Sequence, residues 1–251
     1  MKIANYRIFI TTLIVTAGLV AAKYVLHYFE LEPIVLGSLH GSAISSVVFV
    51  IGFLLSATIA DYKEAERIPA EAASAIENMH EDAISIKENY PKFDLKGYQE
   101  QLRKVAQSFT ADLRNSKSHQ AKTQLHELSR LNAKMEKAGV PANFIVKLKQ
   151  QQAQLVRHLF RVNYIQRITF IPSATILAWS IVILAVALLL LTEIEPFVGG
   201  MMLTTAIIFM LVYVLQLIRV IKTPFQDDGK TKDDVSLFLL DRTMEHLRKK
   251  N

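Results

Sequence analysis

Four apolar runs divide this chain: Ile8–Tyr28, Ile34–Ala60, Ile168–Leu191 and Phe197–Ile221. A helix rises ~1.5 Å per residue, so roughly 20 apolar residues span a ~30 Å hydrocarbon core. Each run meets that length. The stretch between the second and third runs has a different pattern. Arg67–Asn89 repeats Ala72, Ala75, Ile76, Met79 and Ala83 at helical spacing. Tyr90-Pro91 breaks it. Asp94 is a candidate N-cap for a helix to about Asn115, and Ser118 for another to Lys137. Gly139 and Pro141 mark a stop and a restart. The next helix carries Ile145, Leu148, Leu155, Leu159 and Val162, and is expected to run into the third span. No stretch alternates with period two for long enough to predict a strand, and no repeat of ~20–50 residues is visible.

The predicted fold class is therefore all-α: a polytopic membrane protein with four transmembrane helices and a helical cytoplasmic domain. Its parts are a first helix pair (1–61), the cytoplasmic domain (62–167), a second helix pair (168–222) and a C-terminal tail (223–251). A cleaved signal peptide competes for the first run, but that run is long and no A-x-A site follows it.

The second run is unlike the others. Ser42–Pro69 begins as a membrane-crossing stretch and continues as a charged helix, with no Gly or Pro between Phe53 and Ile68. Read at helical spacing, one stripe holds Ser42, Ser45, Ser46, Phe49, Phe53, Ser56 and Ala60. A lipid-facing helix has no reason to collect hydroxyls and paired Phe on one side; a helix lining a narrow passage does. Small residues and Phe also pack helix against helix in membranes, which is the competing explanation.

Charge sets the orientation. Lys2 and Arg7 precede the first span, the 62–167 block is rich in Lys and Arg, and Arg219 and Lys222 follow the last span. The two short loops on the other side carry Glu30, Glu32, Glu193 and Glu195 and no base. The positive-inside rule places both termini and the middle block in the cytoplasm, in a multi-pass protein of the cell (inner) membrane. The formal net charge of +6 then needs no nucleic-acid partner. Lys23, near a membrane edge, is expected to snorkel toward the interface.

Little in the chain supports chemistry. Absence of Cys removes disulfides, thiolate metal sites and Cys nucleophiles. There is no GxSxG, no Walker lysine loop and no HExxH. His80-Glu81 and His126-Glu127 are adjacent pairs, which do not share a helix face and are expected on solvated surface. A proton-coupled carrier is disfavoured, because Asp61 and Lys23 both lie near membrane edges rather than at mid-depth. No enzyme is expected, and no cofactor. The exception to weigh is Ca2+ at Asp227 and Asp228, carboxylates close enough for a hard cation but outside the EF-hand pattern. The alternative there is a solvated turn, with Asp233 or Asp234 capping a helix over Val235–Leu247. Pro224 ends the fourth helix in either case.

Three patches carry a family resemblance. Val48-Phe49-Val50-Ile51-Gly52-Phe53, followed by Tyr62 and Glu66-Arg67, resembles the second transmembrane helix of bestrophin channels. Arg167-Ile168 with Pro172 resembles the opening of the third helix in bacterial bestrophins, and Ile221-Lys222-Thr223-Pro224-Phe225 with its acidic sequel resembles the segment after the fourth. The chain is similar to the divergent members of the family. The resemblance implies a homopentamer in the lipid bilayer that passes small inorganic ions through one central pore. It implies a hydrophobic neck at Ser45, Phe49 and Phe53. Only the two Phe match there; Ser45 stands where an aliphatic residue is usual. The rest of the stripe, Ser42, Ser46, Ser56 and Ala60, is expected to line the pore. Gly229, Lys230, Thr231 and Lys232 interrupt the acidic run on which calcium gating depends in animal members, and Gln226 replaces a family Gly. Chloride or another monovalent anion is the expected ion; a monovalent cation channel and a non-conducting scaffold whose cytoplasmic helices bind a partner are the alternatives.

Overall fold

The computed structural model describes residues 6–115, 118–167, 172–225 and 234–249. In chain order they form α1 (Arg7–Tyr28), β1 (Ile34–Val35), α2 (Ser38–Asn89), α3 (Leu95–Arg114), α4 (Gln120–Lys137), α5 (Ala142–Arg167), α6 (Pro172–Leu191), β2 (Thr192–Glu193), α7 (Phe197–Ile221) and α8 (Phe238–Lys249). The all-α class holds. α1, α2, α6 and α7 are each long and apolar enough to cross a membrane.

Two compact units divide these elements. The first contains α1, the Ser38–Tyr62 part of α2, α6 and α7; the second contains the Lys63–Asn89 part of α2, then α3, α4, α5 and α8.

In the first unit, Ile51 and Leu54 of α2 pack with Ala178, Val182, Ala185 and Leu189 of α6 and Ile208, Leu211 and Leu215 of α7. α1 lies against α7, with Phe9 edge-on to Phe209 at 5.8 Å. The buried residues of α1 are Thr12, Thr16 and Lys23 rather than aliphatics. Lipid tails compete with aliphatic contacts between membrane helices, so small residues such as the two threonines suit a buried helix face. The second span starts later than its apolar run. Ile34 and Val35 instead form a two-residue parallel pairing with Thr192 and Glu193. Glu30 at φ 54° and Pro33 keep the preceding loop out of the helical region. Residues 168–171, where the third span was expected to begin, lie outside the described residues.

In the second unit, Ile76, Met79, Tyr98, Leu102, Phe109, Leu128, Leu148 and Leu155 are among the large buried side chains. A polar chain crosses this core. Tyr98 Oη donates to Asn132 Oδ1 (3.2 Å), Asn132 Nδ2 donates to Gln152 Oε1 (3.0 Å), and Gln152 Nε2 donates to Leu125 O (2.7 Å) and Ser129 Oγ (2.8 Å). Every member is satisfied, which fixes the register of α3, α4 and α5.

The helix ends follow the expected chemistry with two changes. Asp94 caps α3, accepting from Gly97 N at 3.0 Å, and Gly139 turns the chain after α4 at φ 85°. Ser118 does not cap α4 itself. Asp112, on α3, does: its carboxylate accepts from Gln120 N and Ala121 N at 3.1 Å each, and Ser118 Oγ donates to it at 2.5 Å. Asp112 is 2% exposed, and its removal leaves the buried Ala121 amide without an acceptor. Asp112→Ala is expected to destabilise the protein by about 2–3 kcal/mol, read as a lowered thermal-unfolding midpoint of the purified protein. α8 begins at Phe238, later than the expected Val235, because Val235 and Leu237 are buried ahead of the helix and Val235 N donates to Pro224 O at 2.8 Å. Asp227, Asp228 and Asp233 lie outside the described residues.

The expectation of a solvated surface fails for His80. His80 is fully buried, not solvated, with its ring edge-on to His246 at 5.6 Å. It falls four residues after Ile76 and seven after Ala73, on a face that the second unit covers, while its neighbour Glu81 is exposed. His126 is exposed, as expected.

Candidate functional site

The Ser/Phe stripe lies wholly on the first unit. At 100° per residue, Ser42, Ser45, Ser46, Phe49, Phe53, Ser56 and Ala60 fall within about 100° of arc. All seven are exposed. Ile51, Leu54 and Thr58 fall roughly opposite, at 3%, 9% and 2% exposure, and Ile51 and Leu54 pack on α6 and α7. α2 therefore buries its aliphatic back and leaves the stripe uncovered. Phe49 and Phe53 are 75% and 69% exposed, the largest apolar surfaces on that face. One helical turn, ~6 Å, separates them, and the whole stripe rises ~27 Å, close to the thickness of a hydrocarbon core.

Two of the hydroxyls on this face are provided for locally. Ser46 Oγ donates to Ser42 O at 2.8 Å and Ser42 Oγ to Ser38 O at 3.3 Å. Such back-bonding lets a Ser sit in a membrane helix without an external partner. Gly52 lies on the edge of the same face, and a Cβ there would meet nothing within 4 Å of the chain. Packing within the protomer does not explain that glycine.

At the opposite end of α1 from its first turn, a charged cluster was not anticipated from sequence. Lys23 does not reach out to an interface. It is 2% exposed and turns inward, donating to Thr192 O (2.5 Å) and Leu190 O (3.2 Å) and pairing with Glu32. His27 Nδ1 sits 2.7 Å from the other Glu32 oxygen, and its ring stacks on Phe197 at 3.9 Å. Glu32 is thus an internal counter-ion, not a loop charge, whereas Glu30, Glu193 and Glu195 are exposed. Burial pushes the Glu32 carboxyl up, but the hydrogen bonds and charges of Lys23 and His27 outweigh it and hold it below its ordinary 4.5. A folded pKa below the unfolded one adds stability above pH 4.5 that is lost as pH falls below it. Thermal stability measured across that range should fall on acidification in the wild type and less steeply in Glu32→Gln.

Among the described residues, no group of three or more His, Asp or Glu could hold a metal ion. Asp227 and Asp228, the expected cation ligands, lie outside them.

No protein-family model matches the chain, and no curated relative matches it in sequence. Solved structures do match in fold. A variant of a bacterial bestrophin homologue from Klebsiella pneumoniae superposes with a TM-score of 0.81 at 13% identity, over 96% of this chain and 97% of that one. A second variant of the Klebsiella homologue gives 0.79 at 12% identity, over 96% and 98%. A structure described as a membrane protein gives 0.79 at 14% identity, over 97% and 98%. The likeness spans both units of the chain and nearly all of each solved structure. The chain is a divergent protein with the bestrophin fold.

Proposed function

We propose that this chain is a bestrophin-type ion channel of the inner membrane, with both termini in the cytoplasm. Its copies assemble as a homopentamer, and the stripe of α2 lines a central pore. The observation that carries the reading is the division of α2: its aliphatic back packs on α6 and α7, and its Ser/Phe face stays exposed in its own protomer. A face of this kind on a membrane helix fits an axis shared by several copies. Ser42, Ser45 and Ser46 then form the wetter outer part, Phe49 and Phe53 the constriction, and Ser56 and Ala60 the inner part. Rings of Phe conduct when wet and block when dry. Their positive edges favour a partly dehydrated anion, and the basic cytoplasmic block concentrates anions, so chloride or a similar ion is the proposed cargo.

Glu30, Glu193 and Glu195 favour a second reading, a monovalent cation channel, because exposed carboxylates at the outer end attract cations. Burial of Glu32 against Lys23 removes one negative charge from that side and weakens this alternative. Purified protein in liposomes distinguishes the readings. Under a potassium chloride gradient the reversal potential should follow chloride. A potential that follows potassium selects the cation channel. Protein that is monomeric or dimeric and passes no ion selects the scaffold.

A further inference from the structure

A cavity of about 240 Å3 opens between α2, α6 and α7 at the end of the first unit where α6 begins and α7 finishes. Lys222 and Arg219 stand at it, with Thr175 from the first turn of α6 and an apolar wall of Trp179, Leu215 and Ile218. Lys222 Nζ donates to Thr175 Oγ1 at 2.7 Å. Among the described residues no carboxylate pairs with either cation. Burial lowers the pKa of Lys222, the ordinary effect of drawing an ammonium out of water.

We propose that this cavity holds an anionic phospholipid, its phosphate against Lys222, Arg219 and Thr175 and an acyl chain along Trp179, Leu215 and Ile218. Two cations ask for a phosphate oxygen, and the apolar wall asks for a chain that a free ion does not have. Position agrees: basic pockets between membrane helices at the cytoplasmic surface suit acidic headgroups. This inference rests on the reading of α2, α6 and α7 as membrane-crossing helices with the end of α7 on the cytoplasmic side, and not on conduction.

Trp179 is the chain's single Trp, so it reports on its own pocket. The test places the intact protein in phosphatidylcholine vesicles containing a small fraction of bromine-labelled phosphatidylglycerol or bromine-labelled phosphatidylcholine. Bromine quenches Trp on contact. Labelled phosphatidylglycerol should quench Trp179 at roughly tenfold lower mole fraction, and millimolar inorganic phosphate should leave that quenching unchanged. Lys222→Gln with Arg219→Gln should abolish the preference, and Lys222→Arg should keep it. Equal quenching by both lipids in the wild type overturns the proposal, whether or not the variants fold. Competition by inorganic phosphate overturns it too, by assigning the site to a free anion. Flotation separates the two layers of the argument: protein that does not float with the vesicles contradicts the spanning helices, while protein that floats and shows no lipid preference contradicts only the lipid site.

Discussion

Alanine at both Phe49 and Phe53 is expected to raise ion flux through reconstituted protein about tenfold while leaving the protomer folded. The two halves of that expectation have separate causes. The rings are 75% and 69% exposed, so in the protomer they form few contacts that alanine would lose. Substitutions at such sites shift stability by about 0.5 kcal/mol or less. In the pore reading the same rings crowd an axis, and the barrier to conduction is the cost of wetting an apolar ring. Lowering that barrier by about 1.4 kcal/mol multiplies the rate about tenfold. Flux in liposomes measures the first half, and the thermal midpoint and oligomer size of the same sample measure the second. Unchanged flux in a double variant that is folded and assembled would remove the neck from Phe49 and Phe53.

The second large effect concerns stability. Lys23→Met should destabilise the protein by about 3–5 kcal/mol. Methionine matches the length of the lysine stem but removes three donors. Glu32, whose side chain is 5% exposed, then loses its ammonium partner, and the Thr192 and Leu190 carbonyls lose their donor. Breaking a buried pair from one side costs more than the pair contributes, because the surviving charge has no solvent. The double variant Lys23→Met with Glu32→Gln removes that stranded charge and should recover part of the loss. Thermal unfolding of the four proteins in the cycle gives the coupling directly; additive losses would mean that the two groups do not act as a pair.

The four long apolar helices were legible because they are set by length and hydropathy, which are local properties. So were the breaks at Tyr90-Pro91 and Gly139 and the cap at Asp94, each made by residues within a few positions of the end it shapes. What escaped were the features whose partners are distant in sequence. Lys23 meets the Thr192 carbonyl 169 residues away, and nothing near Lys23 says that it will turn inward. Asp112 caps α4 from α3, a role for which the local sequence offers Ser118. His80 reads as polar and solvated until α2 is seen to be covered on both the Ile76 and Ala73 sides. Pro69 stands inside the 52-residue α2 without ending it, although its missing N–H argues for a break. The stripe itself was legible as a pattern. Which of its two faces stays uncovered was not, because that depends on α6 and α7 offering their aliphatic sides to Ile51 and Leu54.

The chain has no cysteine, so a single introduced thiol reports on one position only. The most direct test of the central claim is ion flux through liposomes carrying Phe53→Cys, before and after a charged, membrane-impermeant thiol reagent, with Ile183→Cys on α6 as the control. Ile183 is 62% exposed but lies on a helix that contributes nothing to the stripe. Flux that the reagent blocks at position 53 and leaves intact at position 183 is the predicted result. Flux that survives labelling of position 53, or that is blocked equally at both positions, would contradict a pore lined by this face of α2.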